Sequence, residues 1–368
     1  MIVLRFPAWG QTGYSRIGWG FAKALYDIAP DELVIHPVMW ATMQDIYLPE
    51  DYQRILQHCR PKTGGLNPYE DTLVCFQLPS DVAKAPVLPN TFVYTMLETT
   101  GIAPQWAEII NSIKGCIVPC AGNIQSFKSC GANNVQCVPP AADYSIFNPE
   151  PRDGALVLEN LNKFNVFCSV QVSPRKNLPE LVSAYCDTFG KEKDATLFVK
   201  AHGQGYSTVE MFDIADEVKR LKKGMKANIV LIYDTVSDYE LADIYRQMDM
   251  YMTASFGESW DYPRFESLVC GVPAIGTAFI GPDMYLSDEA FRVKYQLMDV
   301  GAPPNPIYTT GQMWARPEPI DLRRKMTAVY KNPKMYKDKA LKLSEKIRET
   351  YTWEKSAKAL LDIVKKEK

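Results

Sequence analysis

Residues 255–266 read Ser255-Phe256-Gly257-Glu258-Ser259-Trp260-Asp261-Tyr262-Pro263-Arg264-Phe265-Glu266. The apolar run at 250–254 predicts a strand before this stretch, and residues 263–270 predict a helix with Pro263 in its first turn. Glu258 then lies in the loop before the helix, and Glu266 lies near the helix start. Both can face the crevice beyond the carboxyl ends of the strands, where open α/β sheets bind ligands. Taken alone, two such acids are more typical of a loop and a solvated helix start.

The same succession of strand, turn and helix extends along the whole chain. Its 368 residues are 46% hydrophobic and 23% charged, which is typical of a soluble protein with two domains. Apolar runs predict strands at 2–8, 33–35, 73–76, 92–95, 115–118 and 135–138, and again at 164–172, 196–200, 228–233, 250–254 and 273–276. Helical spacing lies between them, for example at 17–28, 105–113, 178–189 and 240–248. This alternation predicts an α/β fold with parallel sheets that carry helices on both faces.

A domain boundary is predicted near residues 148–154, which are polar and contain two prolines and a glycine. The first domain then covers residues 1–150, and the second begins at residue 151. Residues 321–368 read as helices that are broken near residues 350–352.

A basic pair, Arg175-Lys176, follows the first predicted strand of the second domain and opens a helix. Two adjacent cations at a helix start are unfavourable for the helix dipole alone. They are expected where a diphosphate binds, because Arg and Lys donate charge-assisted hydrogen bonds to phosphate. The alternative is that both side chains face solvent.

The stretch at 255–266 resembles the E-x7-E signature of the retaining glycosyltransferases of family 4 (glycosyl transferases group 1). Glu258 and Glu266 have seven residues between them, Pro263 occupies the position of the signature proline, and Cys270-Gly271-Val272-Pro273 follows in register. The basic pair also resembles the family's pair for the leaving diphosphate. Two residues depart from the pattern, since Ser259 and Asp261 stand where the family often has glycine. Their side chains are expected to narrow the sugar pocket.

The resemblance implies a GT-B architecture, in which two Rossmann-like domains face each other across a cleft. Residues 1–150 would then form the acceptor domain and residues 151–350 the nucleotide-sugar domain, with the helix at 351–368 packing back on the first domain. The implied reaction transfers a hexose or pentose from a nucleotide-diphosphate sugar to a hydroxyl group with retention of anomeric configuration. The donor is a substrate, so no cofactor is expected.

The resemblance also assigns roles to individual residues. The catalytic residues it implies are Arg175, Lys176 and Glu258, with Glu258 on the sugar hydroxyls. Donor binding is implied for Gly10, Gly13, Tyr233, Val236, Ser259, Trp260, Asp261, Tyr262 and Glu266, with Glu266 on the ribose and the loop Tyr233–Val236 on the base. Acceptor binding is implied for Tyr14, Arg16, Glu98 and His202. The alternative for the glycine loop at 10–16 is a tight strand-to-helix turn. For His202, a structural role is expected as much as a role in the acceptor site.

No metal site is predicted. The three histidines are scattered, the D-x-D string of metal-dependent transferases is absent, and the pairs Cys116-x3-Cys120 and Cys130-x6-Cys137 lack further ligands. We therefore expect a metal-independent enzyme with reduced thiols. A cytoplasmic location is also expected, since no apolar run reaches the ~18 residues of a membrane span.

Two alternatives to this function remain open from the sequence. One is a sugar-nucleotide epimerase of the same fold, which needs no separate acceptor. The other is transfer to a hydroxymethylated base in DNA, as in some viral enzymes. Residues 321–368 carry 15 Lys/Arg and seven Asp/Glu, which favours an anionic partner, whereas residues 1–150 carry nine Lys/Arg and 13 Asp/Glu, which does not. The sequence leaves the donor sugar, the base, the acceptor and the oligomeric state undetermined.

Overall fold

The structure is a computed structural model that describes residues 1–10, 12–39, 48–60, 65–191, 194–202, 208–222, 224–301 and 307–366. Its contacts divide the chain into two units. The first unit comprises Met1–Asp143, Asp299–Gln312 and Tyr351–Lys368, and the second comprises Tyr144–Met298 and Met313–Thr350.

Strands and helices alternate through both units. The strands are β1 (Ile2–Pro7), β2 (Leu33–Val38), β3 (Thr72–Phe76), β4 (Thr91–Tyr94), β5 (Gly115–Val118), β6 (Val135–Cys137), β7 (Phe164–Gln171), β8 (Ala195–His202), β9 (Asn228–Ile232), β10 (Met250–Met252), β11 (Ala274–Thr277), β12 (Arg292–Val293), β13 (Tyr295–Asp299) and β14 (Met313–Pro317). The α-helices are α1 (Gly13–Ile28), α2 (Glu50–His58), α3 (Pro79–Val82), α4 (Pro104–Asn111), α5 (Ala121–Lys128), α6 (Leu178–Phe189), α7 (Thr208–Leu221), α8 (Asp238–Arg246), α9 (Tyr262–Val269), α10 (Pro319–Lys331), α11 (Pro333–Thr350) and α12 (Trp353–Lys366).

The described part of the first unit contains a six-stranded sheet in the order β2-β1-β3-β4-β5-β6. Its strand pairs are parallel. Helices cover both faces, as the alternating pattern predicts. On one face, Phe21 of α1 packs its ring 5.4 Å from Phe76 and 5.5 Å from Tyr94. On the other face, Trp106 of α4 joins a core that includes Val93.

Two later stretches of the chain return to the first unit. The ring of Trp353, the first residue of α12, lies 5.4 Å from that of Phe21. A Cβ atom at Gly20 would lie 2.1 Å from the Trp353 ring, so only glycine fits at this contact. The segment 299–312 also belongs to the first unit, whereas the sequence analysis places it in the second domain.

The second unit contains a six-stranded parallel sheet in the order β12-β11-β10-β7-β8-β9, again among the described residues. The chain begins this sheet in the middle at β7, builds outward through β8 and β9, and then returns to the other side with β10. This is the strand order of a Rossmann fold, with a switch point between β7 and β10. A two-stranded sheet of β13 and β14 adds to the fold.

The segment between the two sheets belongs to the second unit, which begins at Tyr144 rather than at the predicted residue 151. Arg246 of α8 donates hydrogen bonds to the carbonyl oxygens of Ile146, at 2.5 Å, and Asn148, at 2.9 Å. Arg152 forms an ion pair of 2.6 Å with Asp243. The polar segment that was predicted to be a linker is therefore held on α8 by hydrogen bonds and an ion pair.

None of the helices in the described ranges is long and apolar enough to cross a membrane.

Candidate functional site

The switch point of the second sheet brings two loops together at its carboxyl edge. One loop, 173–177, follows β7, and the other, 253–261, follows the neighbouring strand β10. Ligands of open α/β sheets bind at such points because the connections diverge there and leave a crevice. The sequence placed the basic pair and Glu258 in these two loops.

Backbone and side-chain hydrogen bonds join the two loops to each other. Pro174–Lys176 forms a single 3-10 turn, and Asn177 then adopts a left-handed conformation with φ 50°. The Asn177 side chain donates to the Ala254 carbonyl at 3.1 Å. The Phe256 amide donates to the Arg175 carbonyl at 2.9 Å. The side chains of Arg175 and Lys176 thus start from a backbone fixed against the loop that carries Glu258.

Glu258 contacts both members of the basic pair. Its Oε1 lies 2.6 Å from Lys176 Nζ, and its Oε2 lies 3.0 Å from Arg175 Nη1. The Ser255 hydroxyl donates a further hydrogen bond of 2.6 Å to Oε1. The Glu258 side chain is 7% exposed and each cation is 14% exposed. The acid and the basic pair, which were predicted from separate motifs, therefore form one cluster.

The surroundings of Glu258 keep it ionised. Burial alone raises the pKa of its carboxyl group, but the charges of Arg175 and Lys176 and the hydrogen bonds from Lys176 and Ser255 outweigh burial and lower the pKa to about 2. The three charged side chains of the cluster carry a net charge of +1 at neutral pH, so the cluster can still attract an anion.

The loop between Glu258 and α9 is buried. Asp261 accepts a hydrogen bond of 2.7 Å from Arg264 Nε. The Trp260 ring packs 5.1 Å from Phe265 and 5.3 Å from Tyr285. Ser259 and Tyr262 are also buried, at 2% and 9% exposure. Ser259 and Asp261 were expected to narrow a sugar pocket. The Asp261 carboxylate lies on Arg264, and the effect of both side chains on a sugar pocket stays a prediction.

Glu266, the second acid of the motif, lies on α9 and is 1% exposed. Its Oε2 accepts a hydrogen bond of 3.3 Å from the Tyr245 hydroxyl of α8. The ribose role implied for Glu266 stays a prediction. In the loop predicted to contact the base, Tyr233 is 37% exposed, and burial raises the pKa of its phenol. Val236 in the same loop is half-buried.

The residues predicted to bind in the first unit lie at the carboxyl ends of β1 and β4. Gly10 has φ 118°, which favours glycine, and Thr12 caps α1 by accepting from Ser15 at 3.1 Å. Gly13 is the first residue of α1, while Gln11 between them lies outside the described residues. Their donor role stays a prediction.

The acceptor residues predicted from the sequence have different surroundings. Tyr14 is buried, and its hydroxyl group shares a hydrogen bond of 2.9 Å with the Thr95 hydroxyl group in the interior of the first unit. Arg16 is half-buried. Glu98 accepts a hydrogen bond of 2.9 Å from Tyr308. The backbone of His202 ends β8, and its side chain lies outside what the structure describes.

Three residues that form hydrogen bonds or ion pairs with the predicted site residues were not identified from the sequence. Ser255 precedes the signature and gave no signal beyond its proximity to Glu258. Arg264 lies inside the signature, and its spacing of three from Asp261 on a helix start could have suggested an ion pair. Tyr308 comes from a segment assigned to the other domain, so no local pattern links it to Glu98.

Among the described residues, no three or more His, Cys, Asp or Glu side chains form a group that could hold a metal ion. Metal independence remains a prediction.

Two Rossmann-like units in one chain define the GT-B fold, so the predicted fold class is confirmed. Solved structures match over almost the whole chain. HepE of Anabaena, in complex with UDP and glucose, has a TM-score of 0.67 at 12% identity, and the match covers 99% of both chains. Sucrose-phosphate synthase of Thermosynechococcus elongatus has a TM-score of 0.65 at 13% identity, covering 99% of this chain and 98% of that one.

The sequence comparisons are more restricted. No family model matches the sequence. Over 159 residues, or 43% of its length, the chain is 25% identical to the D-inositol 3-phosphate glycosyltransferase of Arthrobacter sp. strain FB24. That match spans 37% of the relative's own length. The predicted resemblance to glycosyltransferases is therefore confirmed, whereas membership of family 4 stays a prediction.

Proposed function

We propose that the chain is a glycosyltransferase that moves a sugar from a nucleotide-diphosphate donor to a hydroxyl acceptor and retains the anomeric configuration. The observation that carries the proposal is the cluster of Arg175, Lys176 and Glu258 at the carboxyl edge of the second sheet. The curated relative transfers a sugar by its name, and HepE was solved with UDP and glucose, which supports a nucleotide-sugar donor.

In this proposal the basic pair stabilises the diphosphate as it leaves. The bond between the anomeric carbon and the diphosphate oxygen breaks, and its electron pair stays on the diphosphate. The acceptor oxygen bonds to the same carbon from the same side, and its proton passes to the departing oxygen. Arg175 and Lys176 are fixed by their loop before negative charge develops, which is the condition under which such groups lower a barrier most.

Glu258 orients the donor in two ways. It holds both cations through contacts of 2.6 and 3.0 Å, and it is ionised at neutral pH, so its oxygens accept hydrogen bonds from sugar hydroxyl groups. Glu266 is assigned to the ribose and the loop 233–236 to the base, while Arg16 and Glu98 are assigned to the acceptor. These assignments rest on the resemblance of the motifs. The two cationic side chains supply the positive charge that a metal provides in other transferases, so we propose a metal-independent reaction.

The first experiment is a thermal-shift screen of nucleotide sugars, beginning with UDP-glucose because HepE was also solved with it. A donor at 100 times its Kd stabilises the protein by about 2.7 kcal/mol, which raises the Tm by several degrees. A binding donor is then incubated with simple alcohols and sugars as acceptors, with and without EDTA, and the anomeric configuration of the product is read by NMR. No shift with any nucleotide sugar would refute the proposed function. An inverted product would refute retention alone, and loss of activity in EDTA would refute metal independence alone.

A further inference from the structure

Arg264 is the most deeply buried arginine of the site region, with 1% of its surface exposed. Its Nε donates to Asp261 at 2.7 Å, and its Nη1 donates to the Thr277 carbonyl at the end of β11 at 2.8 Å. Burial alone lowers the pKa of the guanidinium, but the groups around it, first Asp261 and then Tyr285, Tyr251 and Glu258, together outweigh burial and raise the pKa. A buried charge persists only when it is paired in this way.

The neighbouring strand is shaped to accept this side chain. A Cβ atom at Gly276 would lie 2.4 Å from Arg264 Nη1 and 2.7 Å from Thr253 Cγ2. The φ of Gly276 is not in the left-handed region, so the backbone does not require glycine there. Glycine inside a strand weakens the strand and often marks a position that another group approaches closely. Glycine is present at position 276 because the Arg264 guanidinium occupies the space that a Cβ atom would need.

The ion pair also explains the backbone of the loop. Asp261 has φ 65°, a left-handed conformation that costs a residue with a side chain about 1–3 kcal/mol unless its surroundings hold it. The Tyr285 hydroxyl donates to the Trp260 carbonyl at 2.7 Å, and the Gly281 amide donates to the Glu258 carbonyl at 3.0 Å. Together with the ion pair of Arg264, these contacts hold the loop at Glu258, Trp260 and Asp261.

We propose that Arg264 is a positioning residue, which acts through its ion pair with Asp261 to hold the loop 258–261 and so keep the Glu258 carboxylate on Arg175 and Lys176. Arg264 itself does not touch the substrate. The catalytic consequence rests on the proposed function, whereas the structural coupling between Arg264 and Glu258 can be tested without any substrate.

The test uses the double variant Asp261→Gly/Arg264→Met. Glycine adopts the left-handed conformation without strain, and methionine fills the space without leaving an unpaired buried charge. Glu258→Gln is made in the full chain with and without this double change, and urea unfolding is followed at pH 6.5. Glu258→Gln lowers the urea concentration at the midpoint of unfolding. We expect this decrease to be at least twofold smaller in the double variant than in the wild type, because the Glu258 carboxylate is no longer held on Arg175 and Lys176. An equal shift in both backgrounds would overturn the inference.

The control is Glu217→Gln/Arg220→Met, which removes an ion pair of 2.6 Å from the surface of α7 in the same unit. It should leave the Glu258→Gln shift unchanged, and a decrease as large as in the test variant would also overturn the inference. If the Asp261→Gly/Arg264→Met protein does not fold, Arg264→Lys replaces it, since lysine keeps the charge but lacks the planar fork that reaches both Asp261 and Thr277.

The catalytic arm measures kcat with a saturating donor from the thermal-shift screen. We expect the test variant to lose at least tenfold in kcat and the control variant to match the wild type. A wild-type protein that binds no nucleotide sugar would refute the proposed function, and the urea comparison would still decide the role of Arg264. A test variant with wild-type kcat would overturn the positioning role even if the urea shifts differ.

Discussion

Replacing Lys176 with alanine is the most direct test of the basic pair. The change removes the Nζ that lies 2.6 Å from Glu258 Oε1 and leaves Arg175 and the Ser255 hydroxyl on the same carboxylate. A hydrogen bond to a charged group contributes about 1.5–3 kcal/mol. Because two partners remain, we expect the free energy of unfolding to fall by about 1–3 kcal/mol, which a folded protein of this size tolerates.

The effect on turnover should be larger than the effect on stability. Removing one fixed donor from a site of developing negative charge lowers kcat about 10²–10³-fold, or about 2.7–4 kcal/mol of barrier. The assay measures initial rates at saturating donor, with circular dichroism and urea unfolding on the same samples. Saturation separates a slower chemical step from weaker donor binding.

Lys163→Ala is the matched control for this experiment. Lys163 also pairs with an acid, at 2.7 Å from Asp194, but its side chain is 82% exposed. Exposed pairs contribute little, so its kcat and stability should stay near those of the wild type. A folded Lys176→Ala protein whose kcat remains within threefold of the wild type would refute the catalytic role of the pair.

Three further outcomes are expected. Glu266→Gln should weaken binding of the nucleoside diphosphate about tenfold by calorimetry, whereas Tyr245→Phe, which removes the same 3.3 Å hydrogen bond, should affect only stability; equal affinities for both variants would return Glu266 to a structural role. The pKa of Glu258 is lowered from 4.5 to about 2, so its stabilising contribution is complete above pH 4.5 and is lost as the pH falls toward 2. Glu258→Gln should therefore be about 3 kcal/mol less stable than the wild type at pH 6.5 and equal to it near pH 2 in urea melts, and a pH-independent difference would contradict this assignment. Ser237→Ala breaks the capping box of α8, in which Ser237 and Glu240 bond each other's amides at 3.2 and 2.7 Å, and should lower the free energy of unfolding by about 1 kcal/mol without changing kcat.

The sheets could be predicted from the sequence because their strands are buried on both faces. Residues 73–76 and 166–168, for example, are continuous apolar runs that no exposed segment would carry. The helix α6 was predicted with its observed bounds. By contrast, α2 was not predicted, because it is only nine residues long and buries only Ile55, although Tyr52, Ile55 and Leu56 have helical spacing.

At the candidate site, the positions of the two loops after β7 and β10 could be predicted from the sequence, but the contacts between their side chains could not. The strand-turn-helix pattern placed Lys176 and Glu258 at one edge of one sheet, but the order of strands in that sheet decides whether they meet. The burial of Asp261 could not be predicted from the sequence either, because its partner Arg264 needs the space beside Gly276, which lies twelve residues later on another element. The return of residues 299–312 to the first unit depends on tertiary contacts alone.

The first unit has a consequence for synthesis on the ribosome. Phe21, in the first helix of the chain, packs on Trp353, which is translated more than 300 residues later. Until that tryptophan emerges, the cleft that Gly20 leaves beside Phe21 exposes aromatic surface of the nascent chain. The second unit is complete by residue 350, so it can finish folding first although its sheet comes later in the sequence. The first unit is thus expected to complete its fold after the second, although most of its sheet is translated first.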